Sequence, residues 1–280
     1  MKAYATWILL GLLGLSAEAA DALLQVVPTS ELTRVFAGNA RALPIVWQNA
    51  GDATATTEVR MRLLQASSAT TVTIGEWPWK KLKVLADQTV TERATLDFPE
   101  VKAETRFLVK WFEGTNLVLG TTEVLVYPTN LLLELKTLAG EDQAVGIFDP
   151  DGVIKPLLKN IGVEFDDLEN TGIADFRGKL AVIGPFATRE RMPGDLTERV
   201  DKLARKGAGV VWLQPPPRSH DKLLPSFYSV PLGDGAVVVV QSRLVAKLSE
   251  DPQAQMNLVH CCRLARAPEP PQLPKSNLQP

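Results

Sequence analysis

At Tyr127-Pro128 the period of the apolar residues changes, so one chain carries two folding grammars. Before that point the period is two. Leu43, Ile45 and Trp47 alternate with polar or small residues, and Val59, Met61 and Leu63 lie between Glu58, Arg60 and Arg62. Val90, Ala94, Leu96 and Phe98 oppose Thr91, Arg93, Thr95 and Asp97, and Phe107, Val109 and Trp111 alternate with Arg106, Leu108 and Lys110. Side chains on a strand point alternately to its two faces, so each run reads as a half-buried strand. Asn49-Ala50-Gly51-Asp52 and Glu113-Gly114-Thr115-Asn116 carry turn chemistry. The second should close a hairpin between strands near Arg106–Phe112 and Leu117–Val126.

About seven short strands in about 105 residues, from Ala22 to Tyr127, predict an immunoglobulin-like antiparallel β-sandwich, with a small barrel as the alternative. After Pro128, strand and helix alternate. Asn130 to Leu138 reads as helix, Ala144 to Phe148 as strand, Pro156 to Ile161 as a helix ended by Gly162, and Val163–Phe165 and Leu180–Ile183 as strands. Asp195 with Glu198 three residues on forms a capping box for a helix whose stripe is Leu196, Val200, Leu203 and Ala204. Val210 to Leu213 and Ala236 to Val240 are continuous apolar runs, as a parallel sheet covered on both faces requires. Ser242 is placed to cap a short helix. Asp251-Pro252 opens the last one, with the stripe Gln255, Leu258, Val259, Cys262 and Ala265. The expectation for residues 128–266 is a three-layer α/β domain with a mostly parallel sheet. Residues 267–280, rich in Pro and Gln, are expected to be a disordered tail.

The first nineteen residues read as a secretory signal. Lys2 gives the positive end, Trp7 to Leu15 an apolar core, and Ala17-Glu18-Ala19 a small-x-small cleavage pattern. The apolar run is about half of the roughly 20 residues a membrane span needs. An exported, periplasmic or extracellular protein with no stable membrane anchor after cleavage is therefore expected. A net charge of −2 and the lack of a basic run argue against nucleic acid as partner. The two cysteines, Cys261 and Cys262, are adjacent. Neighbouring Cα atoms lie about 3.8 Å apart, short of the usual disulfide range of about 4.4–6.8 Å. They read as small apolar helix residues, with a strained vicinal bridge as the alternative.

The α/β half, about Glu123 to Arg266, resembles flavodoxin-like and class I glutamine amidotransferase-like domains on the strand runs Ala144–Phe148, Leu180–Ile183 and Val210–Leu213. Domains of this type also accompany β-sandwich modules, as non-catalytic parts, in bacterial glycoside hydrolases of the β-galactosidase kind, and the pairing here is similar. The chain departs from an amidotransferase where the reaction would need a cysteine on a strand-to-helix turn and a histidine beside it. The corresponding turns read Gly184-Pro185-Phe186-Ala187 and Gln214-Pro215-Pro216-Pro217.

Open α/β sheets bind ligands at the carboxyl ends of their strands. Three segments should lie there. Asp149 and Asp151 could hold a cation or a sugar hydroxyl, against the competing reading that they serve the turn Asp149-Pro150-Asp151-Gly152. Thr188 and Arg189 could hold an anion, or sit on a solvated loop. His220, within Arg218-Ser219-His220-Asp221, invites a triad, but consecutive side chains diverge and triads are assembled from distant segments. Two histidines far apart disfavour zinc, and no glycine-rich phosphate loop is present, so no cofactor is expected. In the β half, Trp77-Pro78-Trp79 could offer a flat platform for a sugar face or a partner protein, with Lys80 and Lys81 at its edge, or could cover the sandwich edge or the domain junction. The leading expectation is an exported, non-catalytic binding or assembly protein linked to polysaccharide, with a polysaccharide or a partner protein as its target. The alternatives are a hydrolase at the carboxyl edge of the sheet and a two-domain scaffold.

Overall fold

In the computed structural model, which describes residues 24–38, 40–140, 142–215 and 227–267, burial alternates along 43–49, 57–63, 94–98 and 107–111, as the period of two requires. The strands of the first part are β1 (Leu24–Val26), β2 (Thr33–Phe36), β3 (Ala40–Asn49), β4 (Ala55–Ala66), β5 (Thr71–Val84), β6 (Thr89–Asp97), β7 (Thr105–Glu113) and β8 (Leu117–Tyr127). They form two sheets, ordered β1-β3-β6 and β2-β8-β7-β4-β5. The pairings are antiparallel, with one departure from expectation: short β2 runs parallel to β8 along its free edge. The inward residues of β3, β4 and β7 enter one core shared by both sheets.

That core is centred on tryptophan. Trp47 and Trp111 are fully buried. The Trp79 ring stacks on Trp47 at 5.7 Å with planes 17° apart, and Trp111 meets Trp47 edge-on at 5.6 Å. Such pairs add about 0.5–1.5 kcal/mol each beyond the area they bury. Beside them, Asn49 ends β3 with its side chain inside the protein. Its Nδ2 donates to the carbonyls of Ala53 (2.8 Å), Val84 (3.1 Å) and Leu85 (3.2 Å), while its Oδ1 accepts from Gly51 N–H at 3.0 Å. One amide thus ties the turn after β3 to the end of β5.

The second part is built on a sheet ordered β10-β9-β11-β12-β14-β13: β9 (Val145–Phe148), β10 (Phe165–Asp167), β11 (Leu180–Ile183), β12 (Gly209–Gln214), β13 (Phe227–Leu232) and β14 (Gly235–Gln241). All neighbours are parallel except edge strand β13. Its helices are α1 (Glu134–Ala139), α2 (Lys155–Asn160), α3 (Leu168–Thr171), α4 (Leu196–Arg205) and α5 (Pro252–Arg266). The continuous apolar runs have their expected cause: both faces are covered. Val145, Ile147, Val182, Val211 and Val240 pack with α1, α2 and α5. Their neighbours Phe148, Ile183, Val210 and Val239 pack with α3 and α4.

Several local expectations are corrected. The segment from Asn130 begins as a 3-10 turn, Leu131–Leu133, before α1. Val163 is not strand: its N–H closes the end of α2 on Leu158 O (2.9 Å) after Gly162 at φ +73°, which delays β10 to Phe165. Asp195 caps nothing, because its backbone is already near-helical (φ −94°, ψ 6°). Its carboxylate pairs with Arg199 one turn on. Ser242 lies inside a 3-10 turn, Ser242–Val245, without a side-chain cap bond. Asp251 does cap α5, accepting from Gln253 N–H at 2.9 Å. The five residues assigned to the α5 stripe are all buried. Cys261 and Cys262 are free and buried there; burial pushes the Cys261 thiol up to about 11 and Cys262 well above the usual thiol range.

Two consequences are measurable. Asn49→Ala strands buried carbonyls and should lower the unfolding free energy by about 1–3 kcal/mol, read as a lower urea midpoint at unchanged slope. Both thiols should resist a thiol reagent at pH 8 in the folded chain and react stoichiometrically once it is denatured, since neither is an accessible thiolate.

Candidate functional site

Strands β10 and β11 flank β9 on opposite sides, so the chain leaves β9 toward α2 on one face of the sheet and leaves β11 toward α4 on the other. The crevice between the carboxyl ends of β9 and β11 is where open α/β sheets take ligands. Residues 149–152 follow β9 and residues 184–191 follow β11, and the two segments meet through Asp151.

Asp149 is buried, and its carboxylate is fully engaged. Oδ1 accepts from Val153 N–H (3.0 Å), and Oδ2 accepts from Ile154 N–H (2.7 Å) and Lys155 N–H (2.9 Å). These are donors that the first turn of α2 leaves without partners, so the negative charge is held by the helix start. The Asp149 N–H donates to Glu169 Oε1 at 2.8 Å. Lys155 Nζ donates to the same Glu169 oxygen (2.6 Å) and to Asp167 Oδ1 (2.8 Å). Desolvation pulls the Lys155 pKa down, but its bonds to Asp167 and then Glu169 outweigh it and hold the ammonium above its ordinary value. The hydrogen bond from Lys155 holds the Asp167 carboxyl below its usual range.

Asp151 crosses the crevice. Its Oδ2 accepts from Ala187 N–H at 2.5 Å, and its other oxygen pairs with the Arg191 guanidinium. The far wall passes so close to β12 that a Cβ on Gly184 (φ +90°) would lie 2.7 Å from Leu213 O. Thr188 is exposed and precedes the 3-10 turn Arg189–Arg191 without capping it by its side chain. Arg189 is exposed. The cation paired with Asp151 is Arg191, itself exposed, which the sequence reading missed; nothing in Thr188-Arg189-Glu190-Arg191 distinguishes one arginine from the other. His220 lies outside the described residues. Among the described residues, no group of three or more His, Cys, Asp or Glu could hold a metal ion, and no helix is long and apolar enough to cross a membrane.

The two tryptophans of β5 are separated. The register shifts between Val59, paired with Lys80, and Arg60, paired with Pro78, which leaves Trp79 as the extra residue of a bulge. Trp79 turns into the tryptophan cluster and is half-buried, with Lys80 Nζ 5.0 Å from its ring centre. Trp77 is 40% exposed and lies over Gly75, where a Cβ would come within 2.4 Å of the indole. The flat double platform is thus corrected. Nor does either ring lie at the junction, where Phe36, Leu125 and Tyr127 meet Leu131 and Met256. Beside Trp79 runs a groove of about 610 Å³ whose wall includes Glu58, Arg60, Pro78, Lys81 and Glu113.

No protein-family model matches this chain, and no curated protein matches it. Among solved structures it is similar to the alkylpurine DNA glycosylase AlkC of Pseudomonas fluorescens (13% identity, 38% of this chain and 31% of that one, TM-score 0.29). It is also similar to the sporulation control protein Spo0M of Bacillus subtilis (10%, 42% and 56%, 0.30) and to a β-glucosidase of Listeria innocua (14%, 37% and 16%, 0.27). The chain thus spans between 16% and 56% of the length of these structures. Likeness at these scores carries no argument about the site.

Asp149→Asn puts an NH₂ where backbone donors converge, and should cost about 1–3 kcal/mol of stability. The Lys155–Asp167 pair sets an acid dependence. Because the folded pKa of Asp167 is depressed, its contribution is complete above the unfolded value of about 3.9 and is lost as pH falls through the lower folded value. Thermal unfolding between pH 5 and pH 2 should show a shallower acid loss in Lys155→Met than in the wild type.

Proposed function

We propose that this chain is an exported, non-catalytic binding or assembly module, linked to polysaccharide recognition. In this reading its first part is an immunoglobulin-like sandwich and its second a flavodoxin-like α/β domain. The parallel strands, numbered along the chain, stand in the order 2-1-3-4-5, which supports the flavodoxin-like assignment. Two facing sheets with one shared core support the sandwich. Export rests on the signal pattern of residues 1–19, outside the described residues.

The observation that carries the reading is the state of the crevice. Asp149 is held by three backbone donors and Asp151 by Ala187 and Arg191, so the carboxylates that a hydrolase would use are already bonded within the protein. The cysteines that an amidotransferase reading would need lie buried on α5. Binding then falls to surface concavities. The groove at Trp79 pairs an aromatic edge with carboxylates and cations, the combination that grips a sugar through its apolar face and its hydroxyls.

A glycan array with neutral oligosaccharides tests this. Binding should be saturable and should fall about ten-fold in Glu58→Ala and in Lys81→Ala, each loss being about 1.4 kcal/mol. Both side chains are exposed, so the fold is retained. Trp79→Ala should also lose binding, but at a cost of roughly 3 kcal/mol in stability. Failure to bind any glycan would end the polysaccharide link.

A further inference from the structure

At the junction of the two parts lies a cavity of about 270 Å³, with walls contributed by β2, β3, the connector after β8, α2 and α5. Its polar lining is Arg41, Thr129, Asn160, Ser249 and Gln255. Two buried atoms in that lining have no hydrogen-bond partner, Arg41 Nε and Gln255 Oε1. Gln255 is only 5% exposed. Its orientation is fixed, because Leu248 O can only accept and therefore takes the amide nitrogen, at 2.8 Å. The amide oxygen is left as the unpartnered atom.

The two orphans are of opposite kind. Arg41 offers a positive N–H donor, and Gln255 offers an acceptor. A buried polar atom left unpaired is destabilising, and a buried charge more so. A single bridging water takes up only a small part of this cavity and brings no charge to the guanidinium. We infer that the junction cavity is a binding site for a small hydroxylated carboxylate, its carboxylate taken by Arg41 and a hydroxyl donated to Gln255 Oε1. Such a ligand touches side chains of both parts and clamps them, so occupancy stabilises the whole chain. The inference is independent of the Trp79 groove, which shares no lining residue with this cavity.

Calorimetric titration and thermal melts of the full chain, at fixed ionic strength, test it with D-gluconate, L-malate and D-glucuronate as probes. Acetate serves as an acid without hydroxyl, glucose as a neutral polyol, and inorganic phosphate as a plain anion. At least one hydroxy acid should bind saturably and raise the melting temperature, with acetate, glucose and phosphate each at least about ten-fold weaker. Arg41→Gln should weaken that binding about ten-fold or more, with partial recovery in Arg41→Lys. If Arg41→Gln does not fold, Asn160→Asp replaces it. That residue is exposed, and its new charge faces the ligand carboxylate, so binding should weaken with the fold intact. The inference is overturned if no hydroxy acid binds at millimolar concentration. It is equally overturned if binding survives these substitutions, or if a crystal grown with the best probe holds only water between Arg41 and Gln255.

Discussion

Helix α5 has to satisfy two surroundings at once, and the arrangement of the described residues follows from that constraint. Along one side, Leu258, Cys262 and Ala265 are buried against the parallel sheet. Farther round, Met256 packs with Phe36, Leu125 and Tyr127 of the β-rich part. The helix cannot slide to improve one contact at the expense of the other, because both ends are pinned. Asp251 and Pro252 fix its start. At its end, the Ala265 carbonyl lies where a Cβ on Gly209 would be 2.5 Å away, and the two Arg263 nitrogens grip the Glu134 carboxylate at 2.5 and 2.6 Å. A bidentate guanidinium–carboxylate pair fixes direction as well as distance. The position of Met256, and with it the seat of β2 and β8, is set by bonds made elsewhere.

Much of this was legible in the sequence, for physical reasons that also mark the limits. Runs such as Phe107, Val109 and Trp111, or Val237 to Val240, show their burial because a whole face or both faces of a strand must be apolar. Edge strand β13 was not foreseen. Its residues are exposed except Leu232, which packs half-buried against the α3–α4 side of the sheet, and Pro231 speaks against a strand except at an edge. The failures at Asp195 and Val163 have a shared origin. Both are residues whose role depends on one or two backbone angles at a helix end, and residue type constrains those angles weakly.

The site was less legible than the fold. Asp149 and Asp151 were visible as paired carboxylates on a turn, but their partners are mostly backbone N–H groups, which every residue carries and no sequence pattern announces. Arg191 and Arg41 were hidden for a different reason. Each is an ordinary arginine on a polar loop or strand face until the tertiary fold brings Asp151 to one and α5 to the other. Gln255 was the exception. It stood as an amide in a stripe otherwise made of leucine, valine, cysteine and alanine, and a polar residue inside a buried helix face signals a bond that the core itself does not supply. The bulge at Trp79 had no such signal. Pro78 suggested an extended segment, which it is, but not the extra residue that sends one indole inward and leaves its neighbour in solvent.

The two polar clusters differ in how much of their bonding capacity the protein itself takes up. In the crevice between β9 and β11, each charge of Asp149, Asp151, Lys155 and Asp167 is met at hydrogen-bond distance by another group of the same chain. Bringing a ligand there means breaking those bonds first, and a buried carboxylate stripped of its donors costs several kcal/mol. At the junction the balance is reversed: Arg41 and Gln255 carry unmet bonding capacity, on walls that come from opposite ends of the chain. A group entering the crevice must replace satisfied interactions, whereas one entering the junction completes unsatisfied ones. The carboxyl edge of the sheet is the customary ligand site of the architecture. In this chain the residues found there are bonded to one another and to the loops around them, whereas Arg41 Nε and Gln255 Oε1 at the junction have no hydrogen-bond partner in the protein.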